Sequence, residues 1–348
     1  MADQSKIEWT DATWNIITGC SVVSPGCAKC YAMRLAGTRL KDHPSRKGLT
    51  DDSKAGPVWN GQVRFNEKWL DQPIYWARPR KIFVCAHGDL FHESVPDEWI
   101  DQVFAVMALG PRHVFQVLTK RADRARKYIE VLSKAPDDRL HDAALQAGFS
   151  DEVCCSIANW INGWSRWQEA PDDGNPLNGT VPRWPLSNIW LGFSAEDQRR
   201  FDERWEPMRP LAEAGWLIWC SAEPLLGKID AAAALEGGLR WMVVGGESGP
   251  NARPMHPDWA RSLRDQCQAA GVPFHFKQWG EWVTEDQSPE DIVLPSVSTE
   301  PWSTHRQDPE TWEDIWEGDL TNVYRVGKKA AGRLLDGRTW DEIPRATS

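Results

Sequence analysis

No run of this sequence approaches the roughly 18–20 apolar residues that span a bilayer. The start, MADQSKIEWTDATWN, lacks the basic and apolar regions of an export leader. The chain is therefore expected to be cytoplasmic, with no membrane partner. Positive charge is not in excess: 40 Lys and Arg face 50 Asp and Glu, a formal net charge of −10. Indiscriminate coating of DNA or RNA is excluded on that balance, though a local basic patch is not. Eight cysteines in 348 residues are too sparse for a disulfide scaffold. No G-x-G-x-x-G follows an apolar run, and the GKK at 327–329 lacks the glycine of a phosphate-binding loop. Solenoid repeats and coiled-coil heptads are missing as well.

What the chain has is tryptophan, 22 of them, many outside periodic apolar runs: Trp160, Trp164, Trp167, Trp184, Trp279, Trp282, Trp302, Trp312 and Trp316. They either pack irregular loops onto the core or offer flat faces for a base or ring.

Short apolar runs recur, most followed by a polar turn and a helical pattern. They are KIFVCA (81–86), HVFQVLT (113–119), NIWLGFS (188–194), WLIWCSA (216–222), RWMVVGG (240–246) and PFHFKQW (273–279), with TWNIIT (13–18) first. Continuous apolar strands alternating with amphipathic helices predict parallel strands covered by helices. The expected fold is α/β: a partial (β/α) barrel of about six to seven parallel strands, with a doubly wound open sheet as its competitor. Residues 1–280 would form the barrel, interrupted by loop-like insertions at 43–75 and 136–187. Residues 281–348 would form a C-terminal extension packed on it, including a short basic helix in RVGKKAAGRLLDG. Cys85 and Cys220 lie within apolar runs and read as buried thiols.

In parallel barrels the site lies at the C-terminal ends of the strands. The polar residues there are His87, Asp89 and His92; Thr119, Lys120 and Arg121; Ser194, Glu196 and Asp197; Ser221 and Glu223; Gly245, Gly246, Glu247 and Ser248; and Lys277 and Gln278. Each alone is ordinary for a cap or turn; together they exceed what packing needs. GGESGP reads as a backbone nest for a phosphate or carboxylate, or as a tight turn. KRADRARK (120–127) reads as a solvated basic face, or as a phosphate contact through Lys120 and Arg121. His87, His92 and Glu93 are a weaker candidate for a metal.

The first strand leads into Cys20, Cys27 and Cys30, spaced C-x6-C-x2-C, with a turn at Pro25-Gly26. Cys27 and Cys30 are expected at i, i+3 on the first helix, with Cys20 folded back toward them. Three thiolates suit zinc with a fourth ligand such as His43. They also suit a four-iron cluster with one iron left open.

The segments KIEWTDATWNIITGCSVVSPGCAKCYAMRLA, VVGGESGPNARPMHPDW, FHFKQWGEW and RVGKKAAGRLLDGRTWDEIP resemble the phage-associated three-cysteine-motif proteins. The resemblance runs to about residue 345 and is least typical in 136–187. That family is in turn remotely similar to radical S-adenosylmethionine (SAM) enzymes. The resemblance implies a [4Fe-4S] cluster on Cys20, Cys27 and Cys30, with SAM chelating the fourth iron and a flavodoxin or ferredoxin as reductant. It implies Ser194 and Glu196 as ribose and methionine contacts, and Asp89 or His87 where those enzymes carry a glycine-glycine-glutamate motif. GGE at 245–247 (Gly245, Gly246) follows a later strand. The chain departs from the commonest C-x3-C-x2-C spacing, and Tyr31 follows the last cysteine where an aromatic usually precedes it.

The expected function is that of a radical SAM-type enzyme modifying or repairing a nucleotide, base or nucleic acid. Lys120, Arg121, Arg253 and Lys277 would meet an anionic substrate, and Glu223 or Glu247 would transfer a proton. The alternatives are a zinc-stapled binding module for nucleic acid or protein, and a metal-dependent barrel nuclease or hydrolase built on Asp89, Glu196, Asp197, Glu223 and Glu247.

Overall fold

The computed structural model describes residues 5–161, 184–288, 300–301 and 322–345. In chain order, β1 (Ala12–Trp14) and β2 (Ile17–Thr18) precede α1 (Tyr31–Gly37), followed by β3 (Thr50–Ser53), β4 (Gly56–Trp59) and β5 (Arg64–Phe65). Next come β6 (Lys81–Val84), α2 (Asp97–Leu109), β7 (Val114–Thr119), α3 (Ala122–Leu132), α4 (Pro136–Gln146) and α5 (Asp151–Ile161). The chain continues through β8 (Ile189–Ser194), α6 (Gln198–Glu213), β9 (Leu217–Ala222), α7 (Ala232–Glu236), β10 (Leu239–Gly245), α8 (Pro257–Ala270) and β11 (Phe274–Gln278). Last are β12 (Trp282–Thr284), β13 (Glu300–Pro301), β14 (Asn322–Arg325) and α9 (Lys328–Ala331).

Seven strands form one parallel sheet in the order β1-β6-β7-β8-β9-β10-β11. The order follows the chain without a reversal, so every crossover turns the same way and the sheet curls into a half-barrel. A doubly wound sheet would reverse its order at a switch point. The expected partial (β/α) barrel is thus the fold.

Alternation along each strand explains both layers. Ile82, Val84, Phe115, Val117, Ile189, Leu191, Ile218, Cys220, Met242, Val244, Phe274 and Phe276 face outward into a core shared with the helices. Inside, Trp9, Phe83, Trp190, Trp219, Trp241 and Val243 form a separate apolar cluster. Indole contacts hold it, among them Trp9–Trp219 at 5.3 Å and Trp219–Trp241 at 5.1 Å between ring centroids. Gly192 makes room: a Cβ there would lie 2.3 Å from the Trp219 ring. The barrel's lower interior is therefore a packed tryptophan plug, and a cavity lies above it toward the C-terminal strand ends. Cys85 and Cys220 are buried, as expected.

Local structure differs from expectation in five places. TWNIIT splits: β1 joins the barrel, while β2 pairs with β5 outside it, because Asn15 Oδ1 accepts the His87 N–H and breaks the run. The 43–75 insertion carries the β3–β4 hairpin as well as β5. The part of the 136–187 insertion before residue 162 is the helix pair α4–α5, and 162–183 lie outside the described residues. Cys27 and Cys30 precede α1 instead of sitting on it: Cys27 closes a 3-10 turn and Cys30 is the N-cap. The basic helix of the C-terminal segment is only α9, ending at Gly332 with φ 70°.

The C-terminal segment packs on the barrel. Phe276 N donates to Trp340 O (2.9 Å), Trp241 Nε1 to Glu342 O (2.9 Å) and Trp279 Nε1 to Leu334 O (2.7 Å). Trp279 and Trp282 pack irregular loops, Trp282 through Ala252 O (2.7 Å), and Trp184 stacks edge-on against Trp216. Trp164, Trp167, Trp302, Trp312 and Trp316, and the side chain of Trp160, lie outside the described residues. Among the described residues no helix is long and apolar enough to cross a membrane.

Candidate functional site

Above the tryptophan plug lies a cavity of about 450 Å³. Cys20, Cys27, Cys30, Tyr31, Asp89, Lys120, Arg121, Ser194, Glu223, Gly246, Glu247 and Lys277 all line it. Residues separated by more than 250 positions thus converge because each ends a parallel strand or enters the loop after one.

The cysteine loop is held by side chains from three other strand ends. After β7, the buried Arg121 donates through Nη1 to Cys20 Sγ (3.4 Å) and through Nη2 to Ser21 Oγ (2.6 Å). The same guanidinium pairs with Asp89 Oδ2 (3.1 Å) and Glu93 Oε1 (3.2 Å). Burial opposes its charge, but Asp89, Cys20 and Glu93 outweigh burial and raise its pKa. After β8, Glu196 Oε1 accepts Gly26 N (3.0 Å) and Oε2 accepts Arg204 Nη1 (2.9 Å). Glu196 is 1% exposed; burial alone would raise its pKa, yet Arg204, Lys120 and the donors from the cysteine loop bring it below the usual range. After β10, Arg253 grips Glu247 through two bonds (2.5 and 2.9 Å) and donates to Pro25 O (3.1 Å). Lys29 adds a bond to Asn251 O. The loop is therefore tied down on both sides of its turn.

Several expected contacts have other partners. Arg121 and Glu247 line the cavity, but both are engaged in ion pairs that hold this loop, Arg121 with Asp89 and Glu93 and Glu247 with Arg253. Glu196 does not line the cavity; it anchors Gly26. His87 also lies off the lining: its Nδ1 accepts Arg46 Nε (3.3 Å), and its carbonyl accepts Gly19 N (3.2 Å). Burial, with Arg46 beside it, lowers its pKa to about 4, so the ring is neutral. Asp89 lines the cavity with both oxygens engaged, Oδ1 by Thr119 Oγ1 (2.7 Å) and Oδ2 by Lys120 N (3.0 Å) as well as Arg121. Gly245 borders the site without lining it; a Cβ there would meet Glu223 Oε1 at 3.0 Å. Gly246 lets β10 close against Trp279, whose carbonyl would be 1.9 Å from a Cβ. The GGESGP nest takes the protein's own carboxylate, with Gly249 N donating to Glu281 Oε1 (2.9 Å). His92 Nε2 contacts Ser21 Oγ (3.0 Å), and His87, His92 and Glu93 do not converge as metal ligands. The basic face of α3 is an ion-paired surface, Arg126 with Glu130 (2.7 Å) and Lys127 with Asp123 (2.5 Å).

Two features fit substrate handling. Lys277 Nζ pairs with Glu223 Oε1 (2.8 Å), and Ser221 Oγ contacts Glu223 Oε2 (3.1 Å), all on the cavity wall. Lys120 lines the same wall. Tyr31, half exposed, lines another side with its hydroxyl on Ala86 O (2.8 Å). Sequence reasoning missed Arg204 as a member of this assembly. Its signal is faint: one arginine on the buried stripe of α6, at helical spacing between Phe201 and Met208.

The three sulfurs share the cavity but do not all fall within 4.8 Å of one another. A single tetrahedral zinc needs sulfurs about 3.8 Å apart, given Zn–S of about 2.3 Å. A cube of irons seats each sulfur on a separate iron and accommodates a wider spread. His43, the expected fourth zinc ligand, contacts Ser45 Oγ (2.7 Å) and does not line the cavity. Cys20 is pushed up to about 12 by burial, then by Asp89, with Arg121 opposing both.

A family model described as "Protein of unknown function (DUF5131)" matches residues 4–344, and the chain belongs to that family. No curated protein and no solved structure matches the chain.

Proposed function

We propose that this chain is a radical SAM-type enzyme, with Cys20, Cys27 and Cys30 holding a [4Fe-4S] cluster at the mouth of the half-barrel. The observation that carries the reading is the convergence of three spread thiols on one cavity over a closed barrel floor. The resemblance to the three-cysteine-motif proteins supports it. When bound, the cluster and SAM would supply a 5′-deoxyadenosyl radical able to take hydrogen from a substrate carbon.

The chain's own residues do the rest. Arg121, through Ser21 and Cys20, fixes the first thiol and sets beside it the positive charge that partly offsets burial and Asp89, easing loss of the proton when a cluster binds. Glu196 and Arg253 fix Gly26 and Pro25 and so set where Cys27 and Cys30 point. The tryptophan plug excludes water from below, protecting reactive intermediates. Lys120 and Lys277 would receive an anionic group, with Glu223 adjacent to Lys277 to take or return a proton. A cavity of about 450 Å³ is in the range of small-molecule sites and too small for a duplex. A nucleotide or base is the substrate class we propose, with a flavodoxin or ferredoxin as electron donor.

The test is anaerobic reconstitution with iron and sulfide. About four irons per chain and a brown protein are expected, lost in Cys20→Ala, Cys27→Ala and Cys30→Ala. One tightly held zinc per chain on the same cysteines would replace this reading with the zinc-stapled module.

A further inference from the structure

Away from the barrel mouth, α4 and α5 form an antiparallel pair seated on α2. Leu140, Ala143 and Ala144 of α4 and Cys154, Ile157 and Ile161 of α5 are buried in the shared core. That packing fixes how the outer faces of the two helices meet. On those faces stand His141 of α4 and Asp151 and Cys155 of α5, the last two one helical turn apart.

Their ligand atoms converge. His141 Nε2 lies 3.4 Å from Asp151 Oδ1 and 3.9 Å from Cys155 Sγ, and Cys155 Sγ lies 3.9 Å from Asp151 Oδ2. Among the described residues this is the group of three or more His, Cys, Asp or Glu whose ligand atoms all fall within 4.8 Å of one another. Such spacing matches the edges of one coordination tetrahedron, about 3.3–3.8 Å for N, O and S ligands around zinc. A further carboxylate stands beside the trio. Asp142 Oδ1 stands 3.5 Å from the other imidazole nitrogen, His141 Nδ1. That places a carboxylate on the Nδ1 side of the ring while Nε2 is the nitrogen nearest Asp151 and Cys155, the disposition by which metal-bound histidines are oriented.

We infer that His141, Asp151 and Cys155 form a metal site for a borderline divalent cation, Zn²⁺ by class, separate from the cysteine loop. One thiolate, one imidazole and one carboxylate form the mixed donor set that zinc accepts and that calcium or magnesium, which take oxygen, do not. The ligands stand at the surface, so water completes the coordination. Binding expels the Cys155 proton to solvent, and affinity rises with pH accordingly. Asp142 is a positioning residue. The ion would tie α4 to α5.

The test uses the full-length protein, freed of metal and titrated anaerobically with Co²⁺, which reports thiolate ligation by its charge-transfer absorption. One Co²⁺ per chain with that band is expected, displaced by Zn²⁺. Cys155→Ser, a surface change, should abolish the band when made in the combined Cys20→Ala, Cys27→Ala, Cys30→Ala background, where the loop thiols contribute none. Asp142→Asn should weaken binding by roughly 10–100-fold without abolishing it. The band should persist in the combined Cys20→Ala, Cys27→Ala, Cys30→Ala variant. Should that variant not fold, wild-type protein carrying its reconstituted cluster is assayed instead for Zn²⁺ uptake against a chromophoric chelator, compared with Cys155→Ser. Equal uptake in wild type, Cys155→Ser and His141→Ala overturns the inference. That result would leave the reading of the barrel mouth untouched, because no residue is shared.

Discussion

Arg121 shows how one side chain can decide whether a site holds together. It is the common partner of Asp89, Glu93, Ser21 and Cys20, and it is almost wholly buried. Removing one member of a buried ion pair leaves the other charge stranded, at about 3–5 kcal/mol. Arg121→Ala should therefore lower the urea midpoint sharply, while Arg121→Lys, which keeps charge but loses the fork, should fall between. A midpoint unchanged in Arg121→Ala would mean that Asp89 finds another partner. Two buried histidines make stability depend on pH. Burial, above all, holds His113 and His275 neutral, with pKa lowered to about 4 from an ordinary 6.5. A folded-state pKa below the unfolded one means that the unfolded chain binds more protons. Stability is then complete above about pH 6.5 and is lost as pH falls toward 4, by an order of 3 kcal/mol per histidine at most. Urea midpoints measured from pH 7 to pH 4.5 should decline, and His275→Leu should flatten that decline; an unchanged slope would remove His275 from the account.

The elements that matter most are the cysteine loop and the C-terminal segment. The loop is fastened by Glu196 and Arg253, so Glu196→Ala and Arg253→Ala should each leave the three cysteines in place yet reduce the iron retained after reconstitution and desalting. Wild-type retention in both would show that the loop needs no clamp. The C-terminal segment covers β11 through Trp340 and Glu342. A chain ending at residue 321 should lose that cover, expose Phe274 and Phe276, and become susceptible to proteolysis within β11. The strands were legible in the sequence because a strand buried on both faces reads as a mainly apolar run; β6, β8 and β9 do so most cleanly, β7 and β10 with Gln116 and Arg240 inside the run, and β11 least, as FHFKQ. The mouth was legible by the same logic, since Asp89, Lys120, Ser194, Glu223 and Lys277 directly follow those runs. The partners of the loop were not. Gly26 and Glu196 stand 170 residues apart, and Arg253 reaches Pro25 across 228. No local pattern announces such pairs; only the curl of the half-barrel, which brings its strand ends together, does. For the same reason Glu196, Arg121 and Glu247 read as cofactor or substrate contacts, when their charges are neutralised inside the protein.

At the scale of the molecule, a half-barrel with tryptophans packed in its floor carries its cavity at the cysteine loop. Gly192 is the small residue that permits that packing. Gly192→Ala should force Trp219 aside and destabilise the fold by about 1–3 kcal/mol, read from thermal or urea unfolding. The whole arrangement makes chemical sense if the mouth hosts a cluster with one iron open to SAM. The most direct measurement is 5′-deoxyadenosine release when reconstituted protein is incubated anaerobically with SAM and dithionite. The account predicts its formation by the wild type and its absence in Cys27→Ala. A protein that carries a full cluster yet yields none, with or without a nucleotide substrate present, would contradict it.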